Sequence, residues 1–452
     1  MTDVEAIFEP KTVVLIGSNI IREKVGMASP QLFRDVTYNM RKFFQGKIYV
    51  IDLHGKTKNN NVDKLPEIPQ LAAIMLPPEQ SIIQAEKCAK IGVKALVMIT
   101  GGYKNNQRES LLKLREKYGI RILGPNTIMG VINTFNGLNT TFERNVMPKK
   151  GNISVISQSG GVGACLLDWA CFYRIGISKF AFMGDKIDVD DVDLLHYLSK
   201  DEETKVICLY MEGIKNGRNF IEEARKIVKK KPVLVLKGGI THESALRAQS
   251  HTASMSGSDE IFNAAFKKAG IIRVENIEEL MDAALALSKQ PPMYGDNVAI
   301  VSNVGGPAIL TADAVARNNL KLAALSEKTK KKIESLYHGV DATNPIDIIA
   351  DARAERYRKV LKLVFEDENV DGIIIVNMLK SCFFEPEDAK VIPEIAAKYT
   401  GKPVVDVPAG GEDFALVHEV LGESTIPLYN LPEKAVKALK VLRTYGKIHE
   451  KH

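Results

Sequence analysis

The chain has 452 residues, of which 45% are hydrophobic and 26% charged, with a formal net charge of +6. That composition describes a globular protein with sizeable cores, and at roughly 100–200 residues per domain the length suggests three domains. The charge is diffuse, its longest basic runs being the KKK stretches at 229–231 and 330–332 without aromatic neighbours, so no nucleic-acid role is expected; no apolar run approaches the ~20 residues of a membrane span and the opening MTDVEAIFEP lacks a signal-peptide pattern, so a cytoplasmic protein with no membrane contact is expected.

In chain order, TVVLIG (12–17), KIYVID (47–52), LAAIML (71–76), ALVMIT (95–100) and the strand ending near RILGPN (121–126) are short apolar runs without alternation. Helix-length segments separate them. Such runs predict strands buried on both faces of a parallel, doubly wound α/β sheet. Ligands of such sheets sit beyond the carboxyl ends of the strands. Here those ends are Gly17–Ser18, Asp52–Leu53, Leu76–Pro77–Pro78 and Thr100–Gly101–Gly102, with Lys24 and Lys56 near enough in sequence to offer charge to phosphates. Asp52 stands where a nicotinamide enzyme would place its ribose-binding acid. Gly17 is alone until Gly26, however, so the G-x-G-x-x-G dinucleotide pattern is absent and a dehydrogenase is disfavoured.

ISVISQSGGVGACLLDWA (153–170) reads as a strand, a turn at Gln158-Ser159-Gly160-Gly161 and a helix. A helix start presents free backbone N–H groups and the positive end of the dipole, which is a cradle for phosphate; a plain packing turn is the alternative. The next strand, VICLYMEG (206–213), ends in Glu212. The strand after it, in KKPVLVLKGG (230–239), leads to QSHTASMSGS (249–258), where His251 lies among small residues. A carboxylate at one strand end can hold Nδ1–H of a histidine arriving from the next, leaving Nε2 as a nucleophile for phosphorus.

DNVAIVSNVGGPAILTAD (296–313) then repeats GNISVISQSGGVGACLLD (151–168) at an offset of 145, with Pro307 removing one N–H from the second glycine turn. GIIIVNML (372–379) echoes VICLYMEG, and GKPVVDVPAGG (401–411) echoes KKPVLVLKGG. The expectation is two copies of one α/β domain behind the first, with a seam in KQPPMYGDN (289–297) and domains at 1–128, 129–292 and 293–452. The five cysteines, Cys88, Cys165, Cys171, Cys208 and Cys382, form no C-x-x-C pair, so reduced and mostly buried thiols are expected and no metal cluster.

SQSGGVG (157–163), the glutamate of YMEG (210–213) and SHTASMSGSDE (250–260) after KGG resemble the α subunit of ADP-forming acetyl-CoA synthetases. These are NDP-forming acyl-CoA synthetases of the succinyl-CoA synthetase superfamily. GPNTIMGVINT (124–134), VSNVGGPA (301–308) and ATNPIDI (342–348) resemble further segments of that family in the same order, over nearly the whole chain. The resemblance implies a Rossmann-like CoA-binding domain followed by two flavodoxin-like, succinyl-CoA synthetase-type domains. It implies His251 as the phosphorylated residue, Glu212 as its positioning acid, and Gln158, Ser159, Gly160 and Gly161 as the phosphate site. CoA would meet Gly17, Ser18, Lys24, Val25, Leu76, Pro77, Thr100, Gly101 and Asn126. The reaction implied is acyl-CoA, phosphate and ADP to acid, ATP and CoA, through an acyl phosphate. ADP or ATP with Mg2+ would sit on a separate ATP-grasp β subunit in an α2β2 heterotetramer. Glu23, Asp52-Leu53 and Ala253 depart from the family pattern, and the first two bear on CoA binding. A catalytically silent acyl-CoA-sensing module is the alternative of a different class.

Overall fold

The fold was taken from a computed structural model that describes residues 4–20, 27–55, 61–241, 243–244, 258–380 and 382–450. Strands β1 (Thr12–Gly17), β2 (Lys47–Asp52), β3 (Leu71–Ile74), β4 (Ala95–Met98) and β5 (Arg121–Leu123) form an all-parallel sheet in the order β2-β1-β3-β4-β5. β1, β3, β4 and β5 are buried along their whole length, which is why they read as unbroken apolar runs. Gly17 is set by packing: a Cβ there would stand 2.2 Å from the ring of Phe33, on the helix Pro30–Phe43.

The second sheet holds β6 (Val131–Asn133), β7 (Leu138–Asn139), β8 (Lys150–Ser157), β9 (Ile177–Phe182), β10 (Val206–Met211), β11 (Val233–Lys237) and β12 (Ile272–Val274), in the order β12-β11-β10-β8-β9-β6-β7. β6 runs antiparallel to both its neighbours and the rest are parallel. In the third sheet, β13 (Asn297–Ser302) is flanked by β16 (Gly372–Asn377) on one side and by β14 (Lys321–Leu322) and β15 (Ile346–Asp347) as its other parallel partners, and β17 (Val404–Pro408) completes the order β14-β13-β16-β17.

In each sheet one strand has the next parallel strand on one side and a later one on the other: β1 between β2 and β3, β8 between β9 and β10, and β13 between β14 and β16. The crevice between that strand and the later one is the switch point where such folds bind ligands. It lies between β1 and β3, between β8 and β10, and between β13 and β16. The repeat seen in the sequence is a repeat of topology: Ser157 pairs Tyr210 as Ser302 pairs Val376.

The chain gathers into two compact units, Met1–Ile277 and Glu278–His452. The helix Ile277–Lys289 is tied into the second by Lys434 on Glu278 and by the Tyr429 hydroxyl, which donates to the carbonyl of Asp282 at 2.9 Å. The cysteines are all free, but only Cys88 and Cys208 are buried, and there burial pushes the Cys88 thiol up to about 12. Cys165 is exposed on the outer face of the helix Gly160–Phe172, so the expectation of mostly buried thiols fails. Among the described residues, no helix is long and apolar enough to cross a membrane.

Candidate active site

β8 ends at Ser157, whose hydroxyl donates to the carbonyl of Ser159 at 2.7 Å and accepts from the Ser159 N–H at 3.2 Å. These two bonds turn the chain. Ser159 is extended and its hydroxyl caps the following helix by accepting from Val162 N–H at 3.4 Å. At Gly163 a Cβ would stand 2.8 Å from the Phe180 ring, so close packing requires glycine there. At Gly161 nothing among the described residues lies within 4 Å of an added Cβ. The first N–H groups of a helix have no intrahelical acceptor, and here they belong to an open glycine turn at the end of a 13-residue helix. The arrangement fits an anion such as phosphate.

Gln158 does something the sequence did not reveal. Its side chain is buried and spans the switch point. Oε1 accepts from Glu212 N–H at 2.8 Å and Gly213 N–H at 3.1 Å, while Nε2 donates to Asp191 Oδ1 at 2.6 Å and to Gly213 O at 3.0 Å. Its backbone N–H donates to Tyr210 O at 3.1 Å. Both amide hydrogens and both acceptor positions are engaged. Gln158, expected among the phosphate ligands, is therefore a clamp that holds the end of β10 against the turn. Glu212 follows directly, with Oε1 accepting from the Tyr210 hydroxyl at 3.2 Å. Burial, reinforced by the neighbouring Glu212, holds that phenol above its usual range.

Behind the clamp, Lys186 donates to Asp191 Oδ2 at 3.0 Å and Gly213 O at 3.2 Å, with side-chain exposures of 3% and 6% for the ion pair. Asp191, Lys186 and Gly213 were missed because they lie in GDKIDVDD and after the glutamate, where no periodicity marks them.

His251 lies outside the described residues, as do Lys24 and Val25. The flanks of the histidine segment are described. The chain leaves β11 at Gly238, so close to β10 that a Cβ there would meet the Tyr210 hydroxyl at 2.3 Å. It resumes at Ser258, which caps the helix Asp259–Ala269. β11 is the parallel neighbour of β10, so the segment departs beside the strand that carries Glu212.

In the first sheet, Ser18 is buried, with its hydroxyl donating to Ile20 O at 2.8 Å and within 2.9 Å of His54 Nδ1. Asp52 accepts from Asn19 Nδ2 at 2.8 Å and from Asn19 N–H at 3.2 Å, so the carboxylate organises the turn. Leu76 and Thr100 are buried; the Thr100 and Ser81 hydroxyls both donate to Leu76 O, at 2.6 and 2.8 Å. Pro77 starts the next turn, half-buried. Gly101 must be glycine because a Cβ would lie 2.5 Å from Asn126 Oδ1. Asn126 is exposed in a left-handed conformation (φ 63°). Of these residues, Asn126 and Gly101 face one another, whereas Ser18, Leu76 and Thr100 shape the turns from within.

The two switch points are joined by the segment after β9. Asp185 N–H donates to Pro125 O at 2.8 Å, Ile187 N–H donates to Gly124 O at 3.3 Å, and Arg108 pairs with Asp185 at 2.6 Å. The next residue is Lys186 of the clamp network. Elsewhere in this unit Glu9, Asp201 and Glu203 converge closely enough to suggest a cation site, but the buried Lys179 ammonium supplies their counter-charge, at 3.5, 2.9 and 2.7 Å.

With this geometry in place, family models match three stretches: a CoA binding domain over 11–133, a succinyl-CoA ligase like flavodoxin domain over 150–287 and a ligase-CoA domain over 298–446. The chain is 37% identical to the alpha subunit of acetate–CoA ligase (ADP-forming) II of Pyrococcus furiosus, over 96% of each chain. The chain belongs to the family of ADP-forming acetate–CoA ligase alpha subunits. It is thus an acid–thiol ligase with a parallel-sheet α/β fold. It is also 36% identical to acetate–CoA ligase (ADP-forming) I of Archaeoglobus fulgidus, of which it spans 64%. Among solved structures it is similar to acetyl-coenzyme A synthetase 1 of Ca. Korarchaeum cryptofilum in complex with phosphate and ADP, at 31% identity and a TM-score of 0.88 over 100% of this chain and 98% of that one.

Proposed function

We propose that this chain is the alpha subunit of a reversible ADP-forming acyl-CoA synthetase and that it carries phosphorus on His251. A phosphate oxygen attacks the thioester carbonyl, the C–S bond breaks and CoA leaves as thiolate. Nε2 of His251 then attacks phosphorus of the acyl phosphate, and the carboxylate leaves. A β-phosphate oxygen of ADP finally takes the phosphoryl group, the N–P bond breaks and ATP forms. Phosphoryl transfer is mainly positioning and charge stabilisation. Ser159, Gly160 and Gly161 would present N–H groups to the phosphate, with Gln158 behind them as the clamp, and Glu212 would hold Nδ1–H of the histidine.

CoA would lie over the β1/β3 switch point, against Gly17, Ser18, Lys24, Val25, Leu76, Pro77, Thr100, Gly101 and Asn126. ADP with Mg2+ would be bound by a separate ATP-grasp beta subunit, in an α2β2 assembly. The three sheets would correspond to domains at 1–128, 129–292 and 293–452. The observation that carries the reading is the Gln158 clamp, which brings an open helix N-terminus and the backbone of Glu212 to one switch point, beside the strand from which the histidine segment departs.

The test is phosphate labelling of the chain with its ATP-grasp partner and γ-labelled MgATP. Acid-labile, base-stable label is expected on the wild type and none on His251→Ala. Full ATP synthesis by His251→Ala would overturn the relay.

A further inference from the structure

We propose that Asp191 is a positioning residue for phosphoryl transfer, setting the direction of the Gln158 carboxamide and through it the backbone of Glu212 and Gly213. The inference rests on the phosphohistidine reading above. A carboxamide is nearly symmetric in shape, and its two ends differ only in donating or accepting. An ionised carboxylate accepts and cannot donate. Asp191 Oδ1, 2.6 Å from Nε2, therefore selects the NH2 end, and Gly213 O at 3.0 Å selects the same end. Oε1 is left facing the N–H groups of Glu212 and Gly213, at 2.8 and 3.1 Å.

Reversal would set oxygen against oxygen twice and N–H against N–H twice, in a buried place where such contacts are strong. Lys186 balances the charge of Asp191 and binds Gly213 O as well. Lys186 is fixed in turn by the segment bonded to Gly124–Pro125, so the same acid sits where the two switch points are linked. Asn303 makes the corresponding bonds to Met378 N–H and O in the third sheet, at 2.9 and 3.0 Å, which is the backbone half of the device.

A reciprocal exchange tests the assignment. The full chain, with its ATP-grasp partner, is compared as wild type, Gln158→Glu, Asp191→Asn and the double variant. The readouts are the rate of acid-labile labelling from γ-labelled MgATP, the KM for acyl-CoA and the melting temperature. Gln158→Glu sets a carboxylate against Asp191, and Asp191→Asn removes the charged acceptor that directs the amide, leaving Gly213 O as the other acceptor at that end. Each single variant is expected to label at least about 10-fold more slowly, with KM within about twofold. In the double variant the new amide at 191 donates to the new carboxylate at 158, which still accepts both N–H groups, while the bond to Gly213 O is lost and only Lys186 still donates to that carbonyl. Its labelling rate is expected to rise at least about threefold above the slower single variant.

Single variants that label at the wild-type rate overturn the assignment. So does a double variant that is no faster than the slower single one, or that does not fold, because complementarity would then not suffice. If a single variant fails to fold, the double variant decides by the same criteria. A wild-type chain that takes no label overturns the phosphohistidine reading itself, and this inference with it.

Discussion

The turns at 157–163 and 302–308 occupy the same place in two sheets and share their local bonding. Ser302 donates to Val304 O at 2.8 Å and accepts from Val304 N–H at 3.1 Å, as Ser157 does with Ser159. Asn303 holds the backbone of Met378 as Gln158 holds Glu212 and Gly213, from a side chain one methylene shorter. They part in what is added. The first copy places Glu212 where the second has Met378. The first copy also runs through residues 238–258 between β11 and its next described helix, whereas the second passes from β17 to the helix Gly411–Leu421 through Ala409 and Gly410. The clamp is thus a device of the fold, common to both copies. In the proposed relay, the chemistry would belong to the carboxylate and to the segment with His251.

The sharpest way to break this division is at the paired positions. Glu212→Gln is expected to slow histidine labelling by roughly 10³-fold, since a positioned acid or base commonly supplies 10²–10⁴. Met378→Gln should leave the rate within about twofold, because the second copy carries no such role. Equal losses in the two variants would erase the distinction.

The next effect lies in the cores beneath the switch points. β16 and β17 carry Asn377 and Asp406 at the positions where β10 and β11 carry Met211 and Val235. Asp406 is fully buried, and Oδ2 of Asp406, Oδ1 of Asn377 and the Tyr357 hydroxyl have no hydrogen-bond partner among the described residues. Burial pushes the Asp406 carboxyl up to about 8. A carboxyl raised in the folded state stabilises fully below its unfolded value near 3.8, and that contribution is lost as pH rises through about 8. Thermal melts of the C-terminal unit within the full chain should therefore show stability falling between pH 5 and 8, on the order of 3 kcal/mol. Asp406→Asn should flatten the slope. A wild-type melt that does not move with pH would show that the acid titrates normally.

What could be read from the residues themselves divides along the same line. β1 was legible to the residue, because a strand covered on both faces leaves an unbroken apolar run. The repeat was legible because Ser157 and Ser302 close the same turn with the same two bonds, and a glycine pair opens the helix that follows in each copy. The clamp was not. Gln158 meets Asp191 across 33 residues and Glu212 across 54, and a single polar contact at such range leaves no periodic mark. Asp52 looked like a ribose ligand because strand-end acids can be; its partner Asn19 is visible only once the turns fold back.

Removing the clamps comes third in size. Gln158→Ala and Asn303→Ala each strand buried N–H groups, and each should cost about 1–3 kcal/mol in a chemical-denaturation experiment. Only Gln158→Ala should also slow labelling. If Asn303→Ala slowed it equally, the second turn would be part of the reaction and the division above would be wrong.

The smallest effect concerns the caps. Ser159 accepts from Val162 N–H, whereas Val304 offers its helix no side-chain cap. Ser159→Ala should cost about 1 kcal/mol, within the 0.5–2 range for such caps. The reverse change, Val304→Ser, should return much less, because the third residue of that helix is Pro307, which has no N–H to be capped. Adding Pro307→Val restores the donor, so Val304→Ser should stabilise by about 1 kcal/mol only in that background. Val304→Ser that stabilises equally with and without Pro307 would show that the hydroxyl caps Gly306 instead, and that the proline does not account for the apolar residue at 304.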